Sequence, residues 1–146
     1  MAWRGIGKME KTQTTLDSTL ESVDTAEDLV VREALRAGFA EDEQHQIGMS
    51  VRECMVNAVV HGNRYSSNKK VHLDIERSED SLIITVGDEG EGFELSSLPD
   101  PLAPENLLRQ SGRGLLLIGA FMDEFDLHPR PGGGTEVRLI KKLTQQ

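Results

Sequence analysis

The sequence predicts one α+β domain, with helices and strands occupying separate stretches of the chain. Two patterns predict it: apolar residues recur at helical spacing in three segments, and five other short segments are alternating or β-branched. A third observation sets the scale. The 146 residues, 37% hydrophobic and 28% charged, suit a single soluble core rather than a disordered chain. Aromatic residues make up only 4%, so that core must rest on Leu, Val, Ile and Ala.

Residues 1–11 lack periodicity and read as a mobile leader before a single domain spanning 12–146. Residues 12–20 (TQTTLDSTL) are Thr-rich, which suits an edge strand. A helix begins near Val23, with Leu29, Val30, Ala34 and Leu35 on its apolar side and Gly38 as its stop. A second helix runs from Glu41 to about His61 on a stripe of Ile47, Val51, Cys54, Met55 and Ala58. Residues 71–77 (VHLDIER) alternate as a strand, and the continuous apolar run 82–87 (LIITVG) predicts a strand buried on both faces. Residues 88–111 are rich in Gly, Pro and Ser, with a short helix at 104–109, and connections of that length are usually functional or mobile. Residues 113–122 read as a third helix, and 124–129 and 134–141 as a hairpin around PGGGT.

Charge narrows the function. With 25 acidic and 16 basic residues, the net charge is −9. Non-specific nucleic-acid binding relies on Lys and Arg neutralising phosphates, so no direct nucleic-acid partner is expected, and an anionic membrane surface is disfavoured too. No apolar run approaches the roughly 20 residues of a membrane helix. No signal-peptide core opens the chain, so a cytoplasmic location is expected. A polyphosphate bound by such a chain must be held by backbone N–H groups, a metal ion and a few placed cations. The lone cysteine, Cys54, excludes an internal disulfide and reads as core filler.

Four motifs carry chemistry. In ECMVNAVVHGN, Glu53, Asn57 and His61 are spaced i, i+4, i+8 and form one row beside the apolar stripe of the second helix. A carboxylate one turn before an amide suits metal–phosphate work. The amide oxygen can hold a hard cation, and the carboxylate can orient or deprotonate a nucleophile. Alone, the row reads equally as a solvated face. The strand LIITVG runs into DEGEGF, where Asp88 can accept a hydrogen bond from an exocyclic amine such as that of adenine. Gly90 and Gly92 let a ligand approach the backbone there, although the same residues also make an ordinary turn. In SGRGLLLI, Ser111, Gly112 and Gly114 open the third helix, where free N–H groups can cradle phosphate; a hinge and cap would use the same residues. In PGGGTEVRL, Gly132, Gly133, Gly134 and Thr135 precede a strand, as in any hairpin turn.

The order of the parts is more specific than any one of them. A Glu-x-x-x-Asn helix, a strand ending in Asp-x-Gly-x-Gly, a long loop, a Gly-x-Gly helix start and a Gly-Gly-Thr strand start resemble the GHKL ATPase superfamily. That superfamily is named for gyrase, the 90 kDa-class heat-shock chaperones, histidine kinases and the MutL repair proteins, and the four motifs match its asparagine box and three glycine boxes. Within it, ECMVNAVVHGN, DEGEGF, SGRGL and FMDEFDL resemble the bacterial anti-sigma factor serine/threonine kinases, over about residues 12–143.

The resemblance implies a two-layer α/β sandwich of the GHKL type, a mixed, mostly antiparallel sheet covered by helices on one face. It implies Glu53 as general base and Asn57 as the residue holding Mg2+ between the phosphates. Asp88 would read the adenine amino group, with Gly90, Gly92 and Thr135 near the base. Gly112, Arg113, Gly114 and Leu115 fall in the loop and helix start that meet the phosphates, and residues 95–111 fall on the mobile ATP lid. Gln110 stands where some members carry an arginine, leaving Arg109 and Arg113 as the nearby cations.

The implied activity is that of an anti-sigma regulatory factor. It binds Mg–ATP, phosphorylates a Ser or Thr of an anti-sigma-antagonist protein, and sequesters a sigma factor; homodimers are common in the family. Two alternatives remain. A nucleotide-gated binding protein without kinase activity would use the same motifs, although Glu53 favours a reaction. A detached histidine-kinase catalytic domain would need a phosphoacceptor helix, for which 146 residues leave no room in cis. His45, His61, His72 and His128 show no metal-ligand spacing, and His61 is expected as a structural residue at a helix end.

Overall fold

The computed structural model describes residues 10–90 and 114–143. Strand β1 (Glu10–Asp17) leads into α1 (Leu20–Ala37) and α2 (Glu41–Val56), and α2 continues as a π-helical turn over Asn57–Gly62. Then follow β2 (Lys70–Arg77), β3 (Ser81–Gly87), α3 (Gly114–Phe121), β4 (Glu124–Pro129) and β5 (Thr135–Lys142). The strands form one sheet in the order β1-β2-β3-β5-β4. Each neighbouring pair is antiparallel, so the sheet that the resemblance describes as mixed has no parallel pair among the described residues.

Strand alternation builds the layers. Val71, Leu73 and Ile75 of β2 and Leu82, Ile84 and Val86 of β3 are buried on one face. The pairs Leu73–Val86, Ile75–Ile84 and Ile84–Leu139 carry this apolar row across to β5. The continuous apolar run of β3 does not make it buried on both faces. Ile83 and Thr85 are only partly covered, because the described helices join the core on the opposite side.

Helices α1 and α2 supply the second layer through Val23, Ala26, Val30 and Ala34, and through Ile47, Val51, Cys54 and Met55. Leu35 is not on the buried side as its neighbours suggest. It lies one residue past Ala34, about 100° around the helix, and is 62% exposed. Gly38 ends α1 in the left-handed region at φ 97°, with its N–H bonded back to Ala34 and Leu35. The helices approach closely at Gly48, where a Cβ would stand 2.9 Å from Val31 Cγ2. Arg52 of α2 ties them further by donating to Asp24 and Glu27 of α1, each at 2.8 Å.

Candidate functional site

By strand parity, Gly87 and Glu89 belong to the open face of the sheet and Asp88 to the helix face. Asp88 is 7% exposed. Its Oδ1 accepts N–H bonds from Gly90 at 2.9 Å and from Thr135 at 3.2 Å, and neither bond uses Oδ2. The Asp88 N–H donates to the Thr135 carbonyl at 2.9 Å, closing the bond between the β3 end and the β5 start in both directions. Burial pushes the Asp88 carboxyl above its ordinary pKa, while the Gly90 and Thr135 N–H groups and the charges of Arg130 and Lys69 pull it back.

Three glycines leave room for this carboxylate. A Cβ on Gly62 would stand 2.4 Å from Asp88 Oδ2, one on Gly90 would stand 2.2 Å from the Gly62 oxygen, and one on Gly134 would stand 2.0 Å from the Asp88 carbonyl oxygen. Gly134 also has φ 102°, a conformation that L side chains rarely adopt. The end of the second helix, the end of β3 and the β4–β5 turn therefore meet backbone to backbone around one buried acid.

The helix reaches Asp88 through its π turn. Asn63 N–H bonds to the Ala58 carbonyl, five residues back, at 2.8 Å. Such single π turns inside α-helices occur frequently at functional sites. Asn57 stands where α gives way to π, its N–H shared between the Glu53 and Cys54 carbonyls. Glu53 and Asn57 lie one turn apart and are both partly buried. His61, four residues past Asn57 in the wider turn, is exposed, whereas Glu53 and Asn57 are partly covered. Cys54 is core filler as expected. Burial, and then the neighbouring Glu53 charge, push its thiol up to about 12, which keeps it unreactive.

The structure thus joins Asp88, Gly90 and Thr135 directly, and places Glu53 and Asn57 on the helix that ends against them. Helix α3 packs along α2, with Gly114 buried at its first position and Leu115 next in the helix. Gly92, Gly112 and Arg113, the lid at 95–111 and the short helix at 104–109 lie outside the described residues. Among the described residues, no group of three or more His, Cys, Asp or Glu could hold a metal ion. A divalent ion here would rest on the Asn57 amide oxygen and on oxygens supplied by the ligand. That donor set suits Mg2+, which keeps few protein ligands and takes phosphate oxygens.

Asn63 also belongs to the site, without any signal in motif spacing. It is 1% exposed. Its Oδ1 accepts the Glu89 N–H at 2.8 Å, and its Nδ2 donates to Ser18 Oγ and to the Lys70 carbonyl, both at 2.9 Å. The Glu89 carboxylate accepts the Lys70 N–H at 3.0 Å and meets His72 Nε2 at 2.6 Å. The Lys70 N–H first, and His72 second, hold its pKa below the usual carboxylate range. In the sequence Asn63 is the last residue of ECMVNAVVHGN, where it follows Gly62 at the end of an apolar helix.

Comparison with known proteins bears on this geometry. The profile of the histidine kinase-like ATPase domain matches residues 16–141. The anti-sigma F factors of Oceanobacillus iheyensis and Bacillus subtilis are each 32% identical over 108 residues, covering 71% of this chain and 73% of theirs. That of a Clostridium perfringens strain is 33% identical over 106 residues, covering 70% and 74%. The catalytic domain of the histidine kinase ThkA, solved in a nucleotide-free form, has a similar structure with a TM-score of 0.59. It covers 92% of this chain and 99% of its own, and at 13% identity it speaks for the fold alone. No described helix is long and apolar enough to cross a membrane.

Proposed function

The chain belongs to the histidine kinase-like ATPase domain family and has anti-sigma F factors among its relatives, and from that premise we propose that it is an anti-sigma regulatory kinase. It binds Mg–ATP, phosphorylates a Ser or Thr of a small antagonist protein, and sequesters a sigma factor. The observation that carries this reading is the buried Asp88 carboxylate among Gly62, Gly90 and Gly134, at the end of the helix bearing Glu53 and Asn57. An acceptor oxygen enclosed by backbone suits the amino group of a flat base. A carboxylate and an amide one turn apart suit the phosphate end.

In this reading Asp88 accepts from the adenine amino group, and the backbone at Gly90 and Thr135 borders the base. Asn57 offers its amide oxygen to the metal. Mg2+, once bound with the nucleotide, neutralises phosphate charge. The partner hydroxyl attacks the γ-phosphorus in line, Glu53 takes its proton, and ADP leaves. Gly114, at the start of α3, and Gly112, two residues before it in the sequence, offer N–H groups to the charge that develops on the phosphoryl oxygens. The net charge of −9 fits protein partners in the cytoplasm better than nucleic acid.

The test is transfer from γ-labelled ATP to candidate anti-sigma-antagonist proteins, followed by identification of the labelled side chain. Label on Ser or Thr supports the kinase. Nucleotide binding with no transfer to any antagonist favours a nucleotide-gated binder. Label on His would instead make the chain a histidine-kinase catalytic domain.

A further inference from the structure

We infer that Asn63 is the positioning residue for the base-reading carboxylate Asp88, an assignment that rests on the nucleotide reading above. Asn63 touches neither base nor phosphate in that reading and acts only through Asp88.

Three observations carry the inference. First, Asn63 is a buried amide at a junction. It sits just past the π turn and, through Oδ1 and Nδ2, binds the Glu89 N–H, the Ser18 hydroxyl and the Lys70 carbonyl. A single side chain thereby joins the helix end, the β1–α1 link, the start of β2 and the segment leaving β3. Second, it holds the residues on both sides of the contact that matters. Gly62, its chain neighbour, lies against Asp88 Oδ2, and Glu89, the chain neighbour of Asp88, takes its Oδ1. Third, the Glu89 side chain is pinned by the Lys70 N–H at 3.0 Å and His72 at 2.6 Å, so the 88–90 segment is held at backbone and side chain. The Gly90 and Thr135 N–H groups occupy Oδ1, so the direction of Oδ2 depends on where the 62–63 and 88–89 peptides stand.

The amide is chemically specific for this position. It must accept from one N–H while donating to a carbonyl and a hydroxyl. A carboxylate at 63 would set a negative oxygen against the Lys70 carbonyl, and alanine would leave the partly buried Glu89 N–H and Lys70 carbonyl without their partner.

The readout is base discrimination, which a merely structural role would not move selectively. Affinities of the full chain for ATP and for purine riboside triphosphate, which lacks the 6-amino group, are measured by calorimetry with Mg2+. Wild type should prefer ATP by about tenfold or more, the consequence of leaving a buried acceptor unpaired. In Asn63→Ala the preference should collapse to about twofold, through weaker ATP binding, while affinity for the analogue stays within about twofold of wild type. Ser18→Ala, which removes one of the two acceptors of Nδ2, should reduce the preference in the same direction but less, and it decides the matter if Asn63→Ala does not fold. An unchanged preference in a folded Asn63 variant, or in Ser18→Ala when that variant is the judge, overturns the assignment. So does an equal loss for both nucleotides. A wild type that binds ATP but does not discriminate removes Asp88 from the base site, and a wild type that binds neither nucleotide ends the parent reading; the assignment falls with either.

Discussion

Gly62 and Asp88 are packed so closely that no side chain fits between them: a Cβ on Gly62 would stand 2.4 Å from both Asp88 Cγ and Oδ2. The contact joins the end of the second helix to the end of β3, and it confines the carboxylate that the proposed function uses as the acceptor for the base.

Gly62→Ala should therefore damage the site in a defined way. The methyl group must displace either the carboxylate or the π turn, and overpacking of this kind typically costs about 1–3 kcal/mol. Urea unfolding should show that loss, and calorimetry should show ATP affinity reduced more than tenfold. If affinity and stability both match wild type, the glycine is not required.

Asp88→Asn separates the carboxylate's binding role from its structural one. An asparagine Oδ1 can still accept the Gly90 and Thr135 N–H bonds, but its NH2 cannot accept from an amine. Burial raises the pKa of Asp88, so the folded protein binds that proton more tightly than the unfolded chain does. The ionised group therefore weakens the fold above its folded pKa, and the penalty fades as pH falls through that value. The variant should be at least as stable as wild type at neutral pH yet lose most ATP binding. Retained binding would remove Asp88 from the base site.

What could be read from the sequence was local. Gly38 stops α1, the stripe Ile47–Val51–Cys54–Met55 faces inward, and Gly132–Gly134 turn the β4–β5 hairpin, because each depends on neighbours in the chain. Asp88 was legible as the residue on which a buried strand ends. The π turn was not, since the apolar spacing of ECMVNAVVHGN continues as an α-helix would. Its widening goes with contacts made far away in sequence: Asn63 meets Glu89 26 residues on and Ser18 45 residues back. The same distance hid how Thr135, which the resemblance places near the base, is tied to Asp88: its N–H reaches the carboxylate across 47 residues. Continuous apolarity in β3 overstated burial because a sequence run records composition and not which face the helices cover.

On the open face, His128 lies between Glu136 and Asp126, with Nε2 and Nδ1 each 2.7 Å from a carboxylate oxygen. The Glu136 bond first, and the Asp126 bond and both charges after it, raise the His128 pKa against the opposing effect of desolvation. The folded protein thus holds the imidazolium proton more tightly than the unfolded chain. The stabilisation is fully present below the ordinary histidine value of 6.5 and is lost as pH rises through the higher folded value. The urea midpoint of wild type should fall as pH rises from about 6.5 through the higher folded value, and His128→Gln should flatten that fall. An identical slope in the variant would place the titration elsewhere.

Glu53 decides between enzyme and binder. It lies one turn before Asn57, upstream of the point where α2 widens, and so on the phosphate side of the site in the proposed reading. Glu53→Gln keeps the size of the side chain and its capacity to hydrogen-bond but removes its basicity. Asp88, Asn57 and the glycines are untouched, so Mg–ATP should bind as well as to wild type, or slightly tighter, because one negative charge near the phosphates is gone. Phosphoryl transfer to the antagonist at saturating nucleotide should fall by about 10²–10⁴, the usual contribution of a positioned base. The transition state of phosphoryl transfer can be loose and demand little proton removal, in which case the fall is smaller and Glu53 acts by orienting the hydroxyl. Transfer at the wild-type rate in Glu53→Gln would exclude both roles.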